Sequence, residues 1–157
     1  MSFRVGIGVD AHALEAGVPL VLGGVAFDHP TGLAGHSDGD VLAHALVDAV
    51  LGAAGLGDIG SLFPSGDERF RGADSLDLLR EAYRQVREAG WTLVNADCIL
   101  IGEEPRIAAR RDEMRSRLAD ALGGGEVNVR ATTTDGLGFA GRGEGLAAHA
   151  VALLTRE

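Results

Sequence analysis

The chain has no lysine, a single cysteine (Cys98) and only 4% aromatic residues across 157 positions. Each shortage closes off chemistry. Without lysine there is no Schiff-base amine and no P-loop lysine; all 14 basic residues are Arg. One cysteine excludes an intrachain disulfide and any multi-cysteine zinc knuckle, and its apolar neighbours Ile99 and Leu100 mark it as core. No run of about 18 apolar residues could span a membrane, and no basic-then-apolar leader opens the chain, so a cytoplasmic protein without a membrane partner is expected. Positive charge is scarce as well. With 23 acidic residues the net charge is −9, which argues against a nucleic-acid partner. A local Arg group still suits a small anion.

Hydrophobic residues make up 46% of the sequence, and its length suits one domain over residues 1–157 with one core. FRVGIGVDAHAL (3–14) and PLVLGGVAF (19–27) read as two strands forming a hairpin about Glu15-Ala16-Gly17. A helix follows, with Ser37, Asp38 or Asp40 to cap its start and Gly52 or Gly55 to end it. The Gly-, Pro- and Asp-rich stretch after it reads as loop. A second helix runs from Asp74 or Ser75 to Ala89. WTLVNADCILIGE and EVNVRATTT read as strands, and RIAARRDEMRSRLADALG between them as a third helix. The tail GEGLAAHAVALLTR fits either period. The alternation predicts one α+β or α/β domain built on one sheet.

The first helix carries an anomaly. GHSDGDVLAHALVDAVLGA (35–53) is greasy in its second half, yet Asp40, His44 and Asp48 recur every four residues and share a face. Asp10 and His12, two apart in a strand, also share a face. Asp10, His12 and His44 together are a three-ligand set for zinc with one open position. Asp40 or Asp48, one turn either side, is placed to hold the second nitrogen of His44. The same stripe also suits a solvated edge, and the pattern alone leaves both readings open.

Two further segments suit phosphate. His36 and Ser37 precede a helix N-terminus, where free N–H groups and the dipole favour an anion, although plain capping is the commoner explanation of such a pair. TTTDGLGFAGRGEG (132–145) is a glycine-rich loop after a strand, with Arg142 as a charged partner.

Taken together, GVDAH, GHSDGDVLAHAL, LGDIGSLFP, GADS, EEPRIA, ATTTDGLGFAGRGEG and AVALL closely resemble the 2-C-methyl-D-erythritol 2,4-cyclodiphosphate synthase family, nearly end to end. The resemblance implies an α+β subunit with helices on one face of a mixed four- to five-stranded sheet, assembled as a homotrimer with active sites between subunits. It places one zinc ion per subunit on Asp10, His12 and His44, and makes His36 and Thr133 the residues that orient or stabilise the reacting phosphates. Ser37, Asp58, Ile59 and Gly60 would hold the methylerythritol or ribose, beneath a mobile loop of Phe63, Pro64, Ser65, Gly66 and Asp67. Gly102, Glu103, Glu104, Pro105, Arg106, Ile107 and Ala108 would form the cytosine pocket. Thr132 and Thr134 would contact the substrate, and Asp135 would meet a second divalent cation, magnesium or manganese. Phe139 and Arg142 would lie near the trimer axis.

The implied reaction takes a small cytidine diphosphate substrate, 4-diphosphocytidyl-2-C-methyl-D-erythritol 2-phosphate, to a cyclic diphosphate and CMP. Four positions depart from the family's usual pattern. Asp135 stands where Glu is common, Arg106 where Lys is usual and Ser65 at an often acidic loop start, while His149 occupies an often acidic position. On residues alone, two rivals stand beside the cyclase: a zinc hydrolase using Asp38 or Asp40 as base, and a non-catalytic nucleotide-binding module.

Overall fold

The computed structural model describes residues 1–157. Its largest element is β1 (Ser2–Ala16), which pairs antiparallel with β7 (Gly145–Arg156) from Ser2↔Arg156 to Ala13↔Gly145. β7 pairs antiparallel with β5 (Thr92–Ile101), and β5 pairs parallel with β6 (Glu126–Thr132). With β4 (Thr31–Leu33) on the far end of β1, the mixed sheet has five strands in the order β4-β1-β7-β5-β6. The undecided tail is therefore a strand. It is bonded on both sides, and its alternate residues Leu146, Ala148, Ala150, Ala152 and Leu154 are buried.

The expected 3–14/19–27 hairpin does not form. β2 (Leu20–Leu22) and β3 (Val25–Phe27) pair only with each other, and Gly23 and Gly24 between them both have positive φ, at 58° and 74°. A two-residue loop with both residues left-handed matches the twist of a tight hairpin, so the Gly-Gly pair is a turn and not strand interior.

Helix α1 (Val41–Ala54) lies across the sheet, capped by Asp40 at its start and Gly55 at its end. Twelve of its residues are buried because the sheet covers one side and α3 (Ser75–Glu88) packs on another. Contact with β1 is at backbone range: a Cβ on Gly8 would stand 1.8 Å from the Ala45 carbonyl oxygen. Gly8 is thus required for the helix to reach the strand.

The stretch expected as loop contains two short turns, α2 (Ile59–Leu62) and a 3-10 turn at Glu68–Phe70, each capped by the preceding Asp. The third helix, α4 (Arg111–Ala121), begins later than expected, after a 3-10 turn at Ala108–Arg110 that has no side-chain cap. A last short helix, α5 (Gly138–Gly141), precedes β7. Helices cover one face of the sheet. The other face exposes Phe3, Val5, Ile7 and Val9 of β1 and Val151 of β7, with Val5 at 69% and Ile7 at 67%. No helix is long and apolar enough to cross a membrane.

Candidate active site

The glycine face of β1 continues into its polar end. Gly6, Gly8, Asp10 and His12 alternate along one side of the strand, so the glycines admit α1 and the next two residues meet its N-terminal half. There His44 joins them. His12 Nε2 lies 2.9 Å and His44 Nδ1 3.0 Å from Asp10 Oδ2, and the two nitrogens are 3.4 Å apart. An ion bound at 2.0–2.1 Å in tetrahedral geometry needs ligand atoms about 3.3–3.4 Å apart, so this cluster fits a zinc-sized cation with only slight expansion.

The electrostatics agree. Burial pushes the Asp10 carboxyl up, but hydrogen bonds with His12 and His44, and their charge, hold it at about 2. The hydrogen bond to Asp10 raises His12 against the opposing effect of burial. A carboxylate with two imidazoles converging on it is a cation site in waiting.

The three residues of the helix stripe have three different partners. The Asp40 carboxylate is fully buried and accepts the N–H groups of Gly23 (2.9 Å), Gly24 (2.8 Å) and Ala43 (3.2 Å). Burial pushes it up to about 6, against the pull of those backbone donors. Asp48 accepts the Ile59 N–H at 2.8 Å and anchors α2. Neither side chain reaches the second nitrogen of His44. That nitrogen, Nε2, faces Ser75 Oγ at 2.8 Å and Ser37 Oγ at 3.1 Å. Ser75 had no signal in its own helix, because its partner is 31 residues away. Asp40 is also unavailable as the base of a hydrolase, and Asp38 is bonded to Ser75.

The triad opens into a cavity of about 410 Å³. His36, Ser37, Ile59 and Gly60 line one side and Phe63, Pro64, Ser65 and Gly66 another, as expected; Phe70 and Leu78 also line it and were not foreseen. Phe70 stacks edge to face on Phe63 at 5.2 Å. His36 donates from Nε2 to the Asp67 carbonyl at 2.9 Å, tying this loop to the phosphate-side histidine. Asp58 instead caps α2 through the Ser61 N–H, and Asp67 pairs with Arg69.

The remaining expected residues gather elsewhere. Because β5 and β6 run parallel, the segments after them emerge side by side: the Gly102 N–H bonds Thr132 O at 3.1 Å, and the Gly136 N–H bonds Glu103 Oε1 at 3.4 Å. Thr133 Oγ1 donates to Asp135 Oδ1 at 3.3 Å, and Asp135 itself has positive φ, 53°. Thr134 Oγ1 donates to Leu137 O at 2.6 Å. Arg142 pairs with Glu144 and lines a second cavity of about 420 Å³ beside Glu103 and Glu104. Ile107 turns its side chain into the core, which leaves only its backbone for a ligand. No residue of 102–108 or 132–142 lines the cavity at the triad.

A mixed five-stranded sheet with a buried helix delivering the third ligand of an Asp-His-His cluster defines an α+β protein with a metal-type site beside a half-open pocket. Comparisons narrow the class. Residues 3–155 match the model of the YgbB family. The chain is 58% identical to the 2-C-methyl-D-erythritol 2,4-cyclodiphosphate synthase of Moorella thermoacetica, over 96% of this chain and 94% of that protein. Its fold superposes on the bifunctional IspDF of Campylobacter jejuni with a TM-score of 0.94 at 44% identity, covering 99% of this chain and 43% of the longer one. It superposes on a 2C-methyl-D-erythritol-2,4-cyclodiphosphate synthase in a CDP-bound form with a TM-score of 0.88 at 40% identity, covering 97% of this chain and all of that one. The chain belongs to the YgbB family, that of the 2-C-methyl-D-erythritol 2,4-cyclodiphosphate synthases.

Proposed function

We propose that this chain, as one catalytic domain, converts 4-diphosphocytidyl-2-C-methyl-D-erythritol 2-phosphate to 2-C-methyl-D-erythritol 2,4-cyclodiphosphate and CMP, in the cytoplasm and in the non-mevalonate route to isoprenoids. The observation that carries the reading is the convergence of Asp10, His12 and His44 at the mouth of a pocket walled by His36, Ser37 and the Phe63–Gly66 loop. The substrate's own 2-phosphate oxygen attacks the β-phosphorus. The bond from that phosphorus to the bridging oxygen breaks, and its electron pair leaves with CMP. No protein nucleophile is needed, and neither a lysine nor a reactive thiol is at hand: the chain has no lysine, and burial pushes the Cys98 thiol up to about 12. The protein's task is to fold the substrate back on itself and to offset spreading negative charge.

His36 and Ser37 present a ring nitrogen and a hydroxyl to phosphate oxygens at the pocket wall. Thr133 offers its hydroxyl, and Arg106, Arg142 and the backbone of 102–108 receive the cytidine diphosphate end. Asp10, His12 and His44 would hold zinc, and Asp135 a magnesium or manganese ion with the diphosphate; these ions, when bound, polarise the phosphate oxygens as Lewis acids. Asp135 is one methylene shorter than Glu, so it would hold its ion through a water where a Glu would reach it directly.

A homotrimer joins the two halves of the site. In one chain the triad pocket and the 102–108 and 132–142 segments are separate, and the uncovered face of β1 and β7 carries Phe3, Val5, Ile7, Val9 and Val151. A bare apolar sheet face of this kind is the usual mark of a protein contact.

Phosphorus NMR of the purified protein with the substrate and magnesium, with zinc retained or stripped by chelator, tests the reading. Cyclic diphosphate and CMP forming only with zinc is expected. Linear hydrolysis products would favour a zinc hydrolase, and unchanged substrate on a zinc-loaded protein would favour a binding module.

A further inference from the structure

Ser75, the first residue of α3, is a fully buried polar side chain at the triad, at 0% exposure. Its hydroxyl is not needed to cap that helix, because Asp74 already accepts the Leu76 N–H at 2.9 Å. Ser75 Oγ instead donates to Asp38 Oδ1, while the Ser75 N–H bonds Asp38 Oδ2 at 3.0 Å. The Asp40 N–H is the third donor to this carboxylate, at 3.1 Å from Oδ1. A carboxylate only accepts, so the Ser75 hydroxyl proton is committed to Asp38. Its lone pairs are then left for the ring nitrogen of His44, 2.8 Å away.

We propose that Asp38 and Ser75 are positioning residues that fix the tautomer and ring orientation of His44, placing the proton on Nε2 and the free lone pair of Nδ1 toward Asp10 and His12. This inference rests on the metal reading above. With the proton on Nε2, His44 Nδ1 meets Asp10 Oδ2 as acceptor against acceptor at 3.0 Å, an arrangement that a cation relieves. The relay also explains why two serines stand at one nitrogen. Ser37 lines the pocket and Ser75 does not, so Ser75 can hold His44 while the Ser37 hydroxyl turns to a ligand. It ties the start of α3 to a site otherwise built from β1 and α1.

Zinc affinity of the purified assembly, measured by chelator competition, is the first readout. The second is the ring-nitrogen NMR signature of His44, including its exchange-protected Nε2–H. Ser75→Ala is expected to weaken zinc binding by about 10- to 100-fold and to remove the protected proton. Asp38→Asn is the second variant, should Ser75→Ala fail to fold. Its single amide oxygen cannot accept from both the hydroxyl and the N–H of Ser75, so the anchor that commits the Ser75 proton is weakened and zinc binding falls. Asp74→Ala weakens the same helix start without touching the relay, and is expected to lower the melting temperature while leaving zinc affinity unchanged. Unchanged affinity in folded Ser75→Ala and Asp38→Asn, or an equal loss in Asp74→Ala, overturns the inference and leaves the metal reading standing. A wild-type protein that does not bind zinc overturns the metal reading itself.

Discussion

The triad end of the molecule and the end formed by the 102–108 and 132–142 segments are built in opposite ways. At the triad, the ligands come from the sheet's longest strand and a buried helix and already converge: His12 Nε2 and His44 Nδ1 lie 2.9 and 3.0 Å from Asp10 Oδ2, and Ser75 holds His44 from behind. At the other end the groups sit on exposed turns whose hydroxyls and carboxylates bond mainly to their own loop, as Thr133 does to Asp135 and Thr134 to Leu137. The contrast teaches that one chain preorganises its candidate metal cluster, whereas the groups of the 102–108 and 132–142 turns are held only by their own loops. Rigid scaffolding is spent where an ion must be held within tenths of an ångström, and adaptable loops where a long flexible ligand must be wrapped.

The sharpest way to break this contrast is to remove the scaffold. Gly8→Val drives a side chain into the Ala45 carbonyl, so the helix must leave the strand; loss of the fold, by more than about 4 kcal/mol, is expected in circular dichroism and soluble yield. Next in size, His44→Ala abolishes stoichiometric zinc and cyclase activity while the oligomer stays folded. Normal metal content in that variant would remove His44 from the site.

Ile7→Asp separates the two ends directly. Ile7 is 67% exposed, so subunit stability is expected to change by less than about 0.5 kcal/mol, whereas a charge buried in the interface of the proposed homotrimer would split it. Light scattering then reports monomers that keep zinc and have lost activity. Full activity in a monomer would show that one chain completes the site by itself.

The smallest effect concerns pH. Asp40 in the folded chain ionises at about 6 against an ordinary 3.8, so its contribution to stability is complete below about 3.8 and is lost as pH rises through about 6. Asp40→Asn removes that part of the pH slope in urea denaturation between pH 4 and 7. It also costs about 1–3 kcal/mol, because an amide NH2 then faces one of the two glycine N–H donors that the carboxylate accepted. An unaltered slope would mean that another group carries it.

Legibility followed the same divide. Asp10, His12 and His44 could be read from the sequence because period two in a strand and the polar stripe of a helix each put their groups on one face, and both elements formed where expected. The stripe did not reveal what each member binds. Asp40, His44 and Asp48 share a face yet meet the Gly23-Gly24 turn, the triad and α2 respectively, because the face is wide enough to touch three separate elements. Phe70, Leu78 and Ser75 gave no signal, since each acts at the site through a fold that carries it across some 30 residues of sequence.

The sequence by itself determined the family resemblance, the three main helices, the residues of the candidate triad and the lack of a lysine or paired cysteine, because motif order, periodicity and residue type are local properties of the chain. Tertiary structure alone decided that the tail is a strand, that Gly23-Gly24 turns a separate hairpin, that Ser75 stands behind His44, and that one sheet face lies bare. Each of those depends on which distant backbone supplies a partner or a cover. Long-range pairing is set by the packing of the whole core and leaves no periodic trace in the segment that receives it.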